Sequence, residues 1–360
     1  MKILTILGTR PELIRLSRII PLLDKYSEQV IIHTGQNFDE NLDKVFFQNF
    51  KLRKPNYYLG AKGSFGQQIS IILNKIEKII DLEKPDRFLV LGDTNSSLGA
   101  IMAKRMGIKV FHMEAGNRCY DDKVPEEVNR RIIDHSSDYL LPYTYRSCEN
   151  LTSEGISRNR IFVIGNPIFE VLKYNESKID KSKILKKLKI KKNKFFLLTL
   201  HRSENTDNPK RIRQFIKSFE KIYKKFKFKT IWPIHPRSKE SIKKNKIKLP
   251  EGLQIIEPLD FFNFVKLEKN SFCVITDSGT VQEECAIFNI PNLTIRDSTE
   301  RPETIEYGSN FITGISIDKI LNGISLTLNS KSESDCPPEY KYKNVSKTVA
   351  KIILQNYLND

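Results

Sequence analysis

Short apolar runs alternate along the chain with stretches in which apolar residues recur every three or four positions. In the first half, runs at Ile3–Leu7, Val30–His33, Phe88–Leu91, Val110–Met113 and Tyr139–Leu141 predict strands. Between them the helical period holds over Glu12–Leu23, Gln67–Ile80 and Leu98–Arg105. The second half restarts the pattern with Phe195–Leu200, Lys229–Ile234, Gln254–Ile256, Cys273–Thr276 and Asn292–Ile295. Apolar strands separated by helices imply βαβ units and parallel sheets covered on both faces. Val345, Val349, Ile352 and Ile353 give a last helical spacing within Tyr342–Tyr357.

Pro167 and the polar stretch Tyr174–Lys183 interrupt this alternation and mark the expected domain boundary. The division predicted is 1–168, 169–340 and a terminal helix over 341–360. With 360 residues, 39% of them apolar, the chain can bury two cores rather than one. The expected fold class is therefore α/β, with two doubly wound, Rossmann-like domains and a cleft between them. No internal repeat is visible.

Charge changes the picture less than its size suggests. The net charge of +17 invites a nucleic-acid reading, but much of it lies in lysine-rich helical faces such as Lys181–Lys189 and Lys239–Lys248. No zinc finger or RNP-type motif accompanies it, so a solvated surface that attracts phosphorylated small molecules is the expectation. Five scattered cysteines without a CxxC pair argue for a reducing compartment and against a zinc site or disulfide framework. No run approaches the roughly 18 apolar residues of a membrane helix, and the chain enters its first strand without a signal-peptide pattern. A soluble, cytoplasmic protein with neither nucleic-acid nor membrane partners is expected.

Doubly wound sheets bind ligands outside the carboxyl ends of their strands, so the residues that follow each run are the candidates for chemistry. After the first strand, Gly8-Thr9-Arg10-Pro11-Glu12 starts a helix whose free N–H groups, with Arg10 and Arg15, could hold a phosphate. Asp93 follows a buried strand in Gly92-Asp93-Thr94-Asn95, where a helix N-cap competes with a paired-carboxylate role beside Glu114. Glu114 ends the next strand, and Pro125-Glu126-Glu127 opens a helix in which Glu126 to Arg130 and Glu127 to Arg131 are spaced as i,i+4 pairs. That spacing accounts for Glu127 as helix support and leaves Glu126 as a candidate acid or base.

In the second half, His201 follows a strand beside Arg202 and Glu204, whereas His235 fits a mere turn, and His33 and His135 fit structural roles. Ile275-Thr276-Asp277 leads into Ser278-Gly279-Thr280, whose N–H groups at a helix start form a phosphate seat. One of Glu283 and Glu284 would face back toward a ribose, and Arg296 and Arg301 supply cations. The competing reading is an ordinary turn capped by a serine.

Together these segments resemble the non-hydrolysing UDP-N-acetylglucosamine 2-epimerase family. The likeness runs in order through Gly8–Glu12, Thr34-Gly35-Gln36, Gly92–Thr94, Glu114–Gly116, Pro125–Arg130, Gly165-Asn166-Pro167, His201–Asn205, Asp277–Glu284 and Arg296–Glu303. The resemblance implies a GT-B arrangement, a terminal helix returning to the first domain, a homodimer, and a reaction without metal or redox cofactor. It implies Asp93, Glu114, Glu126 and His201 as catalytic residues. UDP would lie mainly on the second domain, with Ser278 and Gly279, beside Thr280, at phosphate, Glu284 at the ribose and Phe264 on the uracil side. Arg10, Arg15 and Arg301 would hold the diphosphate. Inverting C2 needs titratable groups on both faces of the sugar, and expelling a diphosphate needs cations or N–H donors; these residue types meet both demands.

Departures from the common GlcNAc branch point to a particular sugar. Arg15 stands at a position usually lysine, Asn117 at one usually leucine, and the connection Cys119–Val124 is short. Asn37-Phe38-Asp39 replaces a histidine-containing segment that helps bind an activating second UDP-GlcNAc, which speaks against such activation. Asn117-Arg118-Cys119-Tyr120-Asp121 is more similar to the branch interconverting UDP-2-acetamido-2,6-dideoxy-L-talose and UDP-N-acetyl-L-fucosamine for capsule or O-antigen. The alternatives are a UDP-GlcNAc/UDP-ManNAc 2-epimerase, a hydrolysing 2-epimerase and a GT-B glycosyltransferase, with a nucleic-acid-binding protein ranked far below them.

Overall fold

A computed structural model describes residues 1–35, 46–329 and 335–355, with the side chains of 203, 204 and 327–329 excepted. Gln36 and Asn37–Asp39 lie outside the described residues, and so does the side chain of Glu204. The chain divides into two compact units. The first comprises residues 1–173 together with the C-terminal segment from Pro338; the second is Tyr174–Pro337.

The sheet of the first unit has the order β3-β2-β1-β4-β5-β6, all parallel. Its strands are β1 (Lys2–Leu7), β2 (Glu28–His33), β3 (Tyr57–Tyr58), β4 (Arg87–Leu91), β5 (Lys109–Met113) and β6 (Tyr139–Leu141). Every residue of β4 is buried, as strands covered on both faces require. The longest helix, Phe65–Glu83, starts in a capping box: Gln67 N–H donates to Ser64 Oγ, and Ser64 N–H donates to Gln67 Oε1 at 2.8 Å. It buries Ile72, Ile76, Ile79 and Ile80 against Leu4, Phe88 and Val110, then stops at Lys84 in the left-handed region. The segment expected as one helix over Glu12–Leu23 is two, Arg10–Leu16 and Ile20–Tyr26; the ring of Pro21 suits a helix start but not an interior.

The terminal helix Val345–Leu354 buries Val345, Val349, Ile352 and Ile353. Within the first unit, Arg87 donates to the carbonyls of Ile353 and Gln355, and the N–H and hydroxyl of Ser346 donate to Glu170.

The second unit repeats the winding with β7 (Phe195–Thr199), β8 (Lys229–Pro233), β9 (Leu253–Ile256), β10 (Cys273–Thr276), β11 (Asn292–Thr294) and β12 (Asn310–Ile312). The order is β12-β11-β10-β7-β8-β9, again parallel. Its helix Pro209–Phe226 begins under Asn208, whose side chain accepts from the N–H groups of Lys210 and Arg211. Ile212, Phe215, Ile216, Phe219 and Ile222 form its buried stripe, which leaves the lysines on the outer face.

Each sheet reverses its winding between its first and fourth strands, β1/β4 and β7/β10, where a doubly wound sheet opens a crevice at its carboxyl edge. All five cysteines are free thiols. No described helix is long and apolar enough to cross a membrane.

Candidate active site

The carboxyl ends of β1, β4, β5 and β6 bring together the acidic residues of the first unit. Glu114 directly follows β5 and is 8% exposed. Its backbone lies in the left-handed region at φ 67°, an arrangement that costs a non-glycine residue about 1 kcal/mol or more and recurs at functional sites. The side chain accepts from Arg15 Nη1 at 3.0 Å, Tyr143 Oη at 3.3 Å and Asn117 Nδ2 at 3.4 Å. Arg15, itself 3% exposed, also lies 5.8 Å from the centre of the Tyr143 ring. A buried carboxylate held by a guanidinium and two neutral donors is fixed in orientation and placed at the strand ends, where a doubly wound sheet binds its ligand.

Asp93 is not a cap. Thr94 takes the N-cap position of the turn Asn95–Leu98, while Asp93 Oδ2 accepts from Arg130 Nε at 2.8 Å. Arg130 also reaches Glu127 at 2.5 Å, and Asn129 donates to the Asp93 carbonyl. One face of the helix Pro125–Ser136 thus braces Asp93, and Glu126 lies half-buried in its first turn.

The i,i+4 pairing of Glu127 with Arg131 is not formed. Arg131 binds Asp122, and Glu127, fully buried, turns back to accept from the N–H groups of Cys119 at 3.1 Å and Tyr120 at 3.0 Å. Those amides and Arg130 hold the Glu127 carboxyl below the usual range although burial alone would raise it. Glu127 therefore fixes the loop that carries Asn117 to Glu114. Gly116 permits that path at φ 79°, and a Cβ there would lie 2.2 Å from the Ser147 carbonyl oxygen. Gly116→Ala is expected to lower the unfolding free energy by about 2 kcal/mol in urea titrations.

The phosphate expectation at the first helix needs correction. Gly8 and Thr9 N–H are not free: both donate to Glu12 Oε2, at 2.5 and 3.1 Å, because a glutamate three residues past Thr9 folds back as a capping box. Arg15 is likewise committed to Glu114 rather than presented as an open cation. Arg10 is half-buried, with its guanidinium 5.7 Å from the centre of the Phe46 ring.

In the second unit, Asp277 organises the strand ends. It is fully buried and accepts from the N–H groups of His201 and Arg202 and from Asn205 Nδ2, while His201 Nδ1 lies 3.2 Å from its Oδ1. His201 is half-exposed; His235 is a helix cap, its Nδ1 accepting from Arg237 N–H.

Ser278 stands at the N-cap of the helix Gly279–Phe288 without making a side-chain cap bond; its hydroxyl lies 2.8 Å from that of Thr280. The capping-serine reading therefore fails in its particulars. A Cβ on Gly279 would lie 2.6 Å from Glu300 Oε1, so glycine lets that carboxylate lie against the helix start, where the dipole favours it. Glu300 is in turn held by Arg296 at 2.5 Å and Arg202 at 3.4 Å. Glu283 binds Arg301 and is fully buried, while Glu284, 6% exposed, shares a hydrogen bond with the buried Glu268, whose carboxyl is pushed well above the usual range by burial. Phe264 is half-buried against a cluster that includes Val281 and Cys285.

Sequence reasoning missed Tyr143, Arg130 as the brace of Asp93, and Glu300. Tyr143 had a usable signal, a hydroxyl-bearing aromatic two residues past a strand end. Arg130 had none, since tertiary folding alone brings Asp93 to it, whereas Glu300 stands four residues past Arg296, a local spacing that carries the pair. Among the described residues no cluster of three or more His, Cys, Asp or Glu is placed to hold a metal ion.

The chain matches the protein family described as UDP-N-acetylglucosamine 2-epimerase over residues 23–354. It is 43% identical over 345 residues to the UDP-N-acetylglucosamine 2-epimerase of Methanococcus maripaludis, covering 93% of this chain and 94% of the relative. It is 35% identical over 341 residues to the UDP-2,3-diacetamido-2,3-dideoxy-D-glucuronate 2-epimerase of Pseudomonas aeruginosa, covering 93% and 94%. The crystal structure of Methanocaldococcus jannaschii UDP-GlcNAc 2-epimerase in complex with UDP-GlcNAc and UDP superposes with a TM-score of 0.92 at 40% identity, covering 98% of this chain and 99% of that one. The two wound sheets share the GT-B-like fold of these structures.

Proposed function

The chain belongs to the UDP-N-acetylglucosamine 2-epimerase family, and from that membership we propose that it inverts C2 of a UDP-2-acetamido sugar through elimination and re-addition of UDP. A base removes the C2 proton as the C1–O bond to UDP breaks, leaving a glycal with a C1=C2 double bond. A proton is then delivered to the other face of C2, and UDP adds back to C1. Asp93, Glu114 and Glu126 are the acid and base candidates. The observation that carries this reading is Glu114, buried against Arg15 in a strained backbone, on the strand beside the one that presents the Arg130-braced Asp93.

The leaving diphosphate needs positive groups, supplied in this reading by Arg10, Arg301, His201 and the N–H groups from Ser278 to Thr280, with Glu284 at the ribose and Phe264 at the base. The contact of Arg15 with Glu114 shifts its part from holding diphosphate to orienting that carboxylate.

Within this class the 6-deoxy substrate, UDP-2-acetamido-2,6-dideoxy-L-talose giving UDP-N-acetyl-L-fucosamine for capsule or O-antigen, is favoured by the loop after Glu114. Asn117 donates to Glu114 and accepts from Ser147 Oγ at 2.9 Å, so the residue that departs from the GlcNAc branch touches the candidate catalytic carboxylate. UDP-GlcNAc is the second reading, favoured by relatives such as the 43% identical M. maripaludis enzyme.

Incubating the full chain with UDP-GlcNAc, UDP-ManNAc and the 6-deoxy-L-talose analogue in D2O, followed by NMR, tests both levels. Deuterium at C2 of the product is expected, fastest with the 6-deoxy sugar. Faster exchange with UDP-GlcNAc selects the second reading. No exchange with any of them, or accumulation of free sugar and UDP, overturns the non-hydrolysing epimerase.

A further inference from the structure

His112 lies on β5, two residues before Glu114, and is 1% exposed. Its Nδ1 is 2.8 Å from Asp134 Oδ1 and its Nε2 is 3.0 Å from the carbonyl oxygen of Gly92. A carbonyl only accepts. Asp134 is also an acceptor here, since Oδ2 takes the Gly116 N–H at 3.2 Å and Arg118 Nη1 at 2.8 Å. A neutral imidazole has one N–H, and would turn a lone pair toward one of these oxygens in a buried site.

We propose that His112 is a resident buried imidazolium, donating from both ring nitrogens, and that it is a positioning residue clamping the strand ends that carry Asp93 and Glu114. This rests on the reading that those two carboxylates act on the substrate.

The surrounding charges fit that second proton. Arg118 reaches Glu154 through Nε at 2.8 Å and Nη2 at 2.6 Å, and His135 approaches Glu154 at 3.8 Å from the exposed side. Arg118 and doubly protonated His112 thus match Asp134 and Glu154. Burial would raise the Asp134 carboxyl, but the bonds from His112 and Arg118 hold it below the usual carboxylate range. The mechanical consequence follows from the register. Gly92, at φ 75°, donates its N–H to the Met113 carbonyl while its own carbonyl receives His112. One ring therefore locks the turn immediately before Asp93 to the strand immediately before Glu114.

Long-range 1H–15N spectra of the full chain, labelled at its five histidines, read the protonation state directly. The His112 signals are assigned by substituting His33, His135, His201 and His235 in turn. Both His112 nitrogens are expected in the imidazolium range at neutral pH; one unprotonated nitrogen overturns the proposal. His112→Gln, which can satisfy only one of the two acceptors at a time, is expected to lower kcat and C2 deuterium exchange about tenfold while KM stays within twofold. An unchanged kcat overturns the positioning role. If that variant does not fold, Asp134→Asn makes the same comparison, with loss of one ring proton and a lower kcat expected. Absence of C2 exchange in the wild type is a failure of the functional reading instead, and leaves the spectrum to decide the charge.

Discussion

Glu114→Gln is expected to reduce C2 proton exchange by about 10²–10⁴-fold, the range of a positioned acid or base, while UDP binding persists. The amide keeps the shape of the carboxylate and one oxygen to accept from Arg15 Nη1, Tyr143 or Asn117. It cannot take or give a proton at C2. It also leaves the Arg15 charge, 3% exposed, without its anion, so a fall in melting temperature is expected as well. The two effects separate cleanly. Were Glu114 only the counter-ion of Arg15, the folded fraction of the variant would still exchange at the wild-type rate. Deuterium incorporation normalised to folded protein, with UDP affinity as the control, distinguishes the two. Normal exchange removes Glu114 from the catalytic set.

The long strands were legible because a strand buried on both faces is nearly all apolar, as β4 and β10 are. The two that escaped, Tyr57–Tyr58 and Asn310–Ile312, are edge strands. They are short, and in β12 Phe311 is 41% exposed, so neither leaves a continuous apolar run. The candidate site was legible for a related reason. Asp93, Glu114, His201 and Ser278 each fall just past a predicted strand, which is where winding places ligands. What could not be read was commitment. Glu12 takes the amides expected to hold phosphate, Glu127 holds a loop instead of Arg131, and Arg301 chooses Glu283. The choices of Glu127 and Arg301 are made by groups brought together only when the chain is folded, and spacing along a helix carries no record of them; that of Glu12 is local, made with Thr9 three residues before it. His112 is the extreme case: it looked like one more residue of an apolar strand, and its two partners are 20 and 22 residues away.

Glu12→Gln is expected to make the protein more stable than wild type by roughly 3 kcal/mol at pH 8 and by only about 1 kcal/mol at pH 5. Burial pushes the Glu12 carboxyl from 4.5 up to about 7, against the opposing pull of the Thr94 hydroxyl and the Gly8 and Thr9 amides. The folded state therefore binds a proton that the unfolded state has released between pH 4.5 and 7. The stability so contributed is fully present below 4.5 and is lost as pH rises through about 7. Geometry says where the proton sits. Oε2 receives both amides, which leaves Oε1 for the proton; the Thr94 hydroxyl, 2.6 Å away, donates to Oε1 of the ionised carboxylate and can turn to accept from the protonated one. Glutamine reproduces that state: its oxygen takes the amides, and its nitrogen donates to Thr94 without titrating. Urea unfolding of both proteins from pH 5 to 8 measures the difference, and parallel curves would show that Glu12 is ionised throughout. Because Thr94 adjoins Asp93, the same proton joins the start of the first helix to the turn that presents a candidate catalytic carboxylate, and glutamine makes that joint independent of pH.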